Sequence, residues 1–222
     1  MTNGYLAKNP AKEVILEAPK SIQERFSDFT SGEAKAILRA ALGHTAAPQE
    51  HPRTAAAKKW APWICAYTGA RIGEVLQLRK KDLTKAEDDA GWMITITPEA
   101  GTTKSKLPRE VSVHPHLIEL GFAKFAEASP DGYLFVSNSK GSLNGVKNRV
   151  TEFVREYVPD RRVRPNHGWR HLFKTIGRDA GIDFRVLDAI CGHAPETVGG
   201  DYGRYSVKAQ RRALKKFPRF SI

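Results

Sequence analysis

The sequence predicts a mainly helical domain with one small antiparallel β-sheet, an α+β fold. Three observations lead there. After Phe29, apolar residues recur at helical spacing through most of the chain; residues 92–113 alternate instead; and Gly69, Gly181 and Gly192 close periodic runs. With 222 residues, 41% of them hydrophobic and 27% charged, the chain can bury a substantial core.

Residues 1–29 are polar and proline-punctuated with little sustained periodicity, and read as a linker or arm. A compact domain follows over 30–222. In TSGEAKAILRAAL, Thr30 and Glu33 have capping-box spacing, which predicts a helix over 31–42. The run RTAAAKKWAPWICAYTG sets Ala56, Trp60, Trp63, Ile64 and Tyr67 at helical spacing and ends at Gly69, with a bend expected at Pro62. These aromatics read as core. Ile72, Val75, Leu76 and Leu78 fix the helix that Arg71 opens. Trp92, Ile94 and Ile96 alternate with polar or small residues, as do Val111 and Val113, predicting two strands joined by a polar loop. Helices return at about 115–127, 142–157, 168–180, 184–191 and 206–216, with Gly181 and Gly192 as stops and Asp183 and Ser206 as caps.

Thirty-six Lys and Arg against 24 Asp and Glu leave a formal charge of +12, which favours a polyanionic partner, nucleic acid first. No apolar run approaches the length of a membrane span and no signal-type segment follows the N-terminus, so a cytoplasmic protein is expected. Cys65 and Cys191 sit among apolar residues outside any CxxC pattern, which predicts buried free thiols.

Several residues could carry chemistry. Arg71, in TGARIGEVLQL, opens a helix, where the dipole favours anions over cations; the position suits an arginine that binds phosphate, or one paired with Glu74. In RPNHGWRHLFKTIGRDAG, His167 and Arg170 lie three apart, neighbours on one helix face. His171 follows His167 by four, but neither an HExxH pattern nor a cysteine cluster accompanies it. Lys104 and Lys106 occupy the loop between the strands, either solvated or within reach of a phosphate. Arginine, lysine, histidine and tyrosine without a carboxylate cluster fit phosphoryl transfer to a protein hydroxyl: the cations stabilise the equatorial oxygens and lower the cost of ionising a tyrosine.

Taken in order, these residues resemble the catalytic domain of the tyrosine recombinases, the phage integrase family, whose motif runs Arg, Lys, His-x-x-Arg, His, Tyr. The matching positions are Arg71, Lys104 in the hairpin loop, His167 and Arg170 in HGWRH, His193 in CGH, and Tyr202 in DYG, nine residues after His193. The match covers about residues 30–217; Trp169 and Cys191 replace the leucines usual at their positions.

The resemblance implies the DNA breaking-rejoining enzyme fold and a site-specific recombinase or integrase acting on double-stranded DNA. Tyr202 would attack the scissile phosphate to give a 3′-phosphotyrosyl link. Arg71 and Arg170 would clamp the nonbridging oxygens, and His193 would hydrogen-bond the phosphate. Lys104 would protonate the leaving oxygen, with Lys106 as the alternative, and His167 would serve as base or proton shuttle. Neither metal nor cofactor is required. The resemblance also implies that residues 1–29 connect to a DNA-clamping domain, that the basic tail helix at about 206–217 packs on a neighbouring protomer or contacts phosphate, and that four copies assemble on DNA, with a monomer in solution. The competing reading is a non-catalytic helix-turn-helix-like DNA-binding module built from residues 167–193. Tyr205 reads as a packing residue.

Overall fold

The computed structural model describes residues 28–87, 91–101, 108–139, 141–193 and 205–222. Helix α1 (Ser31–Leu42) begins at the expected capping box, with the Thr30 hydroxyl accepting from the Glu33 amide and the Glu33 carboxylate accepting from the Thr30 amide. Helix α2 (Pro52–Thr68) is the centre of the domain and packs against α1, α6 (Ser142–Arg155) and α7 (Pro165–Asp179). Its second half is buried on every side, from Trp60 through Thr68. A helix enclosed in this way carries apolar residues all round rather than along one stripe. Pro62 lies inside it, and the helix continues past the missing donor to Thr68.

After the short helix α3 (Ile72–Leu76) comes a three-stranded antiparallel sheet, β1 (Leu83–Lys85), β2 (Trp92–Ile96) and β3 (Arg109–Ser112), with β2 in the middle. Leu83 pairs with Ile94 and Ile94 with Val111, so one face presents three apolar side chains to the core. Two strands were expected. The third, β1, has only three residues, too few to display an alternating pattern. The helix expected over 115–127 is two, α4 (Pro115–Glu119) and α5 (Phe122–Ala128), because the chain turns at Leu120 and Gly121. Helix α7 starts earlier than expected, at Pro165, whose fixed φ and absent donor suit a first helical position. Helix α8 (Phe184–Cys191) is capped by Asp183, and α9 (Val207–Leu214) by Ser206.

Helix α9 packs on β3 through the buried Gln210, whose amide donates to the Glu110 and Tyr205 carbonyls while its oxygen accepts from the Ser112 amide. The residues after α9 run back over α2: Phe217 and Phe220 lie against Tyr67, and the Phe220 amide donates to its hydroxyl. Tyr205, expected to pack, is exposed; Gln210 holds its carbonyl and not its ring. Both cysteines are free and buried. Among the described residues, no helix is long and apolar enough to cross a membrane.

One histidine belongs wholly to this core. His114 stacks on Tyr67 with ring centroids 4.2 Å apart, donates from Nε2 to the Phe217 carbonyl and accepts the His116 amide at Nδ1. A second ring proton would face that amide, and burial pushes the His114 pKa down to about 4. The unfolded chain therefore binds more protons between the two values, and the stability His114 contributes is complete above about pH 6.5 and lost as the pH falls toward 4. Urea unfolding of wild type and His114→Gln should show the wild-type advantage shrinking by about 2 kcal/mol between about pH 7.5 and pH 5. An advantage equal at both pH values would contradict a buried neutral ring.

Candidate active site

Three of the residues singled out in the sequence meet where the end of α2, the start of α7 and the end of α8 converge. Helix α2 ends at Gly69 with φ +58, and a Cβ there would lie 2.6 Å from the Cys191 sulfur and 2.9 Å from the Phe173 ring. Glycine satisfies both the left-handed backbone and the close approach of α7 and α8. The freed Gly69 carbonyl accepts from Arg170 Nη1 at 2.8 Å. Arg170 Nε donates to His193 Nε2 at 2.8 Å. Its remaining nitrogen, Nη2, is buried with no hydrogen-bond partner among the described residues.

Arg71 caps α3 from the N-terminal side, and the expected bond to Glu74 is present: the Glu74 carboxylate accepts from the Arg71 amide at 3.1 Å and from Nη1 at 3.2 Å. The same Arg71 Nη1 lies 3.4 Å from the Gly192 carbonyl, linking α3 to the residue before His193. His167 stands one turn before Arg170 on α7, at an exposed position. Its pKa is lowered by burial first and then by the charges of Arg164, His171, Arg170 and Arg71, so the ring is neutral near pH 7 and able to accept a proton. Lys104, Lys106 and Tyr202 fall outside the described residues.

Three further residues belong to the site and went unread in the sequence. Arg109, on β3, reaches Glu74 Oε2 at 2.6 Å and Oε1 at 3.3 Å, and donates to the Cys191 carbonyl at 3.3 Å. Gly192, with φ +72, lets it pass, since a Cβ would come within 2.5 Å of the guanidinium carbon. Asp188, on α8, accepts from His193 Nδ1 at 3.0 Å and pairs with Lys174 at 2.7 Å. Lys174 follows Arg170 by four residues on α7, a helical-face relation that was available to find it. Nothing local marks Arg109, whose partner lies 35 residues away.

The electrostatics favour an anion. Burial first, and then the like charges of Arg71 and Arg109, press the Arg170 pKa below arginine's ordinary value. One buried carboxylate, Glu74, is shared by Arg71 and Arg109. Burial opposes its charge, but the hydrogen bonds and charge of Arg109, and then those of Arg71, hold its pKa below the usual carboxylate range. Among the described residues, the hydrogen-bond partners of Arg170 are a carbonyl and a ring nitrogen, with no carboxylate. A planar cation with a buried edge that has no partner among the described residues is suited to an oxyanion such as phosphate. Cys191 beside it is held as a neutral thiol, its pKa raised to about 11 by burial.

With this fold and cluster in view, the comparison with known proteins defines the class. Residues 29–206 match the Phage integrase family, and the chain belongs to it. Among curated relatives it is similar to the integrase of Mycobacterium phage L5, 26% identical over 211 residues covering 86% of this chain and 53% of that protein. It is also similar to the tyrosine recombinase XerA of Pyrococcus furiosus, 23% identical over 151 residues, 67% of this chain and 50% of that protein. The chain thus spans about half the length of the curated relatives it matches. Its fold is shared with the integrase of mycobacterium phage Brujita, at TM-score 0.58 and 20% identity over 91% of this chain and 60% of that one. It is shared too with the XerH site-specific recombinase, whose structure is a pre-cleavage complex with its difH substrate, at TM-score 0.56 and 20% identity over 89% and 52% of the two chains.

The Glu74 carboxylate leads to a direct expectation. Glu74→Gln leaves two buried or half-buried guanidinium groups without their shared counter-charge, and should lower the unfolding free energy in urea by about 3 kcal/mol. A loss below about 1 kcal/mol would mean that the carboxylate is not the structural centre of the site.

Proposed function

We propose that this chain is the catalytic domain of a site-specific DNA recombinase that cleaves and rejoins double-stranded DNA through a 3′-phosphotyrosyl intermediate. The observation that carries the reading is the Arg170 guanidinium: fixed by Gly69 and His193, with Nη2 buried and unpartnered among the described residues, beside Arg71. This is the chemistry of a site for the nonbridging oxygens of a phosphodiester. Family membership supports the same reading.

In the proposed reaction the Tyr202 oxygen attacks the scissile phosphorus, a bond forms between them, and the bond to the 5′ oxygen breaks. Arg71 and Arg170 stabilise the charge on the equatorial oxygens. His167, held neutral, takes or relays the tyrosine proton. Lys104, or Lys106 in its place, gives a proton to the leaving 5′ oxygen. His193 supports the phosphate, acting first on Arg170, which its Nε2 already engages. The phosphodiester is exchanged for a phosphotyrosine diester, so no nucleotide is consumed, and attack of the 5′-hydroxyl reverses the step. No metal enters this scheme.

The basic character of the chain, +12 overall, supports binding to the DNA backbone. The remaining parts of the proposal follow the family: residues 1–29 connect to a DNA-clamping domain, residues 30–222 form the catalytic unit, four copies work together on DNA, and the protein acts in the cytoplasm.

The test uses a pool of nicked duplexes with randomised arms, incubated with the protein in EDTA, so that cleavage beside the nick releases a short fragment and traps the enzyme on DNA. A denaturant-resistant protein–DNA adduct is expected, and Tyr202→Phe should abolish it while leaving salt-sensitive DNA binding in place. Absence of any adduct from a folded, DNA-binding sample would overturn the reading. Loss of the adduct in Tyr205→Phe but not in Tyr202→Phe would reassign the nucleophile.

A further inference from the structure

The Arg170–His193 bond settles which nitrogen of the imidazole carries the proton. An arginine Nε always bears hydrogen, so His193 Nε2, 2.8 Å from it, is the acceptor and the neutral ring's proton sits on Nδ1. Among the described residues, two groups lie near Nδ1: Lys174 Nζ at 3.3 Å and Asp188 Oδ1 at 3.0 Å. An ammonium has only donors, so the Nδ1 proton goes to Asp188, and Lys174 engages the carboxylate at 2.7 Å. The result is a chain of contacts running from Lys174 through Asp188 and His193 to Arg170. Its two cations come from one face of α7, its carboxylate from α8, and its imidazole from just beyond the Gly192 cap of α8.

We propose that Asp188 is a positioning residue for the reaction: by holding the His193 proton on Nδ1, it keeps Nε2 as the acceptor that fixes the Arg170 guanidinium, and thereby aims Arg170 Nη2. Which nitrogen of a histidine is protonated is set by the bond the other nitrogen makes. Without Asp188 the ring can place its proton on Nε2, where it would oppose the Arg170 Nε–H. Among the described residues, Arg170 then keeps the Gly69 carbonyl alone as an anchor. Lys174 completes the device by balancing the Asp188 charge, so that the carboxylate orients the ring without drawing a second proton onto it. The titration directions agree. Burial, and then Arg170, lower the His193 pKa; burial opposes the Asp188 carboxylate, but the Lys174 and His193 hydrogen bonds bring its pKa below the ordinary value. The catalytic half of this proposal rests on the strand-transfer reading; the tautomer does not.

The experiment uses the 222-residue protein, labelled with 15N, as wild type, Asp188→Ala and Asp188→Asn, each shown to be folded by its thermal unfolding. Imidazole 15N shifts at about pH 7.5 report the His193 tautomer, and exchange of the Arg170 Nε–H reports its anchoring. The same samples are timed for adduct formation on the nicked duplex pool, with DNA affinity measured in the same buffer. Wild type should show the Nδ1–H tautomer and a protected Arg170 Nε–H. In Asp188→Ala the Nε2–H form should appear, the Arg170 Nε–H should exchange faster, and adduct formation should slow by about tenfold or more at unchanged DNA affinity. Asp188→Asn, whose side-chain oxygen still accepts from Nδ1, should restore the tautomer and most of the rate. A wild-type ring found as Nε2–H or as imidazolium would overturn the proposal. So would an Asp188→Ala protein with unaltered His193 and Arg170 signals, or one with altered signals and a wild-type rate. A wild type with the expected tautomer and no adduct would overturn the strand-transfer reading and leave the positioning of Arg170 intact.

Discussion

The site depends on one carboxylate placed where burial works against it. Glu74 is 4% exposed, and it keeps its charge because Arg71 and Arg109 converge on it from α3 and β3. Removing one member of such a buried cluster leaves uncompensated charge, which costs more than the pair contributes when intact. The chain therefore has little freedom in how α3, the sheet and the end of α8 approach one another. Arg109 also holds the Cys191 carbonyl, and Arg71 lies against the Gly192 carbonyl, so the same charges fix the backbone that leads into His193.

Arg170 is built on the opposite principle. Its partners among the described residues, the Gly69 carbonyl and the His193 ring, are neutral, whereas Arg109 is held by the Glu74 carboxylate. An arginine neutralised by a carboxylate is a structural group, whereas one held by neutral acceptors keeps its charge for something else. Within one site the fold contains both kinds: Arg109 serves the frame, Arg170 is suited to an oxyanion, and Arg71 lies between the two. Glycine makes the arrangement possible at Gly69, where a side chain would collide with Cys191 and Phe173.

Much of the scaffold was legible because its signals are local. A capping box at Thr30, caps at Asp183 and Ser206 and the stop at Gly69 act within a few residues of themselves and fall where the sequence places them. The aromatic run of α2 was readable as core for a similar reason, since enclosure demands apolar residues throughout. Strand β1 was not, because three residues cannot display a period, and Tyr205 was misread because an aromatic before a helix resembles a packing residue whether or not anything covers it. In the candidate site, Arg71, Arg170 and His193 were singled out by order and spacing, and the structure brings them together. Arg109 stayed hidden, as its meaning lies in a contact across 35 residues, and Asp188 and Lys174 read as ordinary helix charges until α7 and α8 are packed.

The central claim of the proposal is that Arg170 and Arg71 form an oxyanion site organised before any ligand arrives. The most direct measurement is anomalous diffraction from crystals of the protein soaked in tungstate, a tetrahedral oxyanion that scatters strongly. The account predicts a peak within hydrogen-bonding distance of Arg170 Nη2 and beside Arg71, absent in Arg170→Met crystals. Strong peaks confined to other surface lysines and arginines, with the Arg170 edge empty, would contradict it.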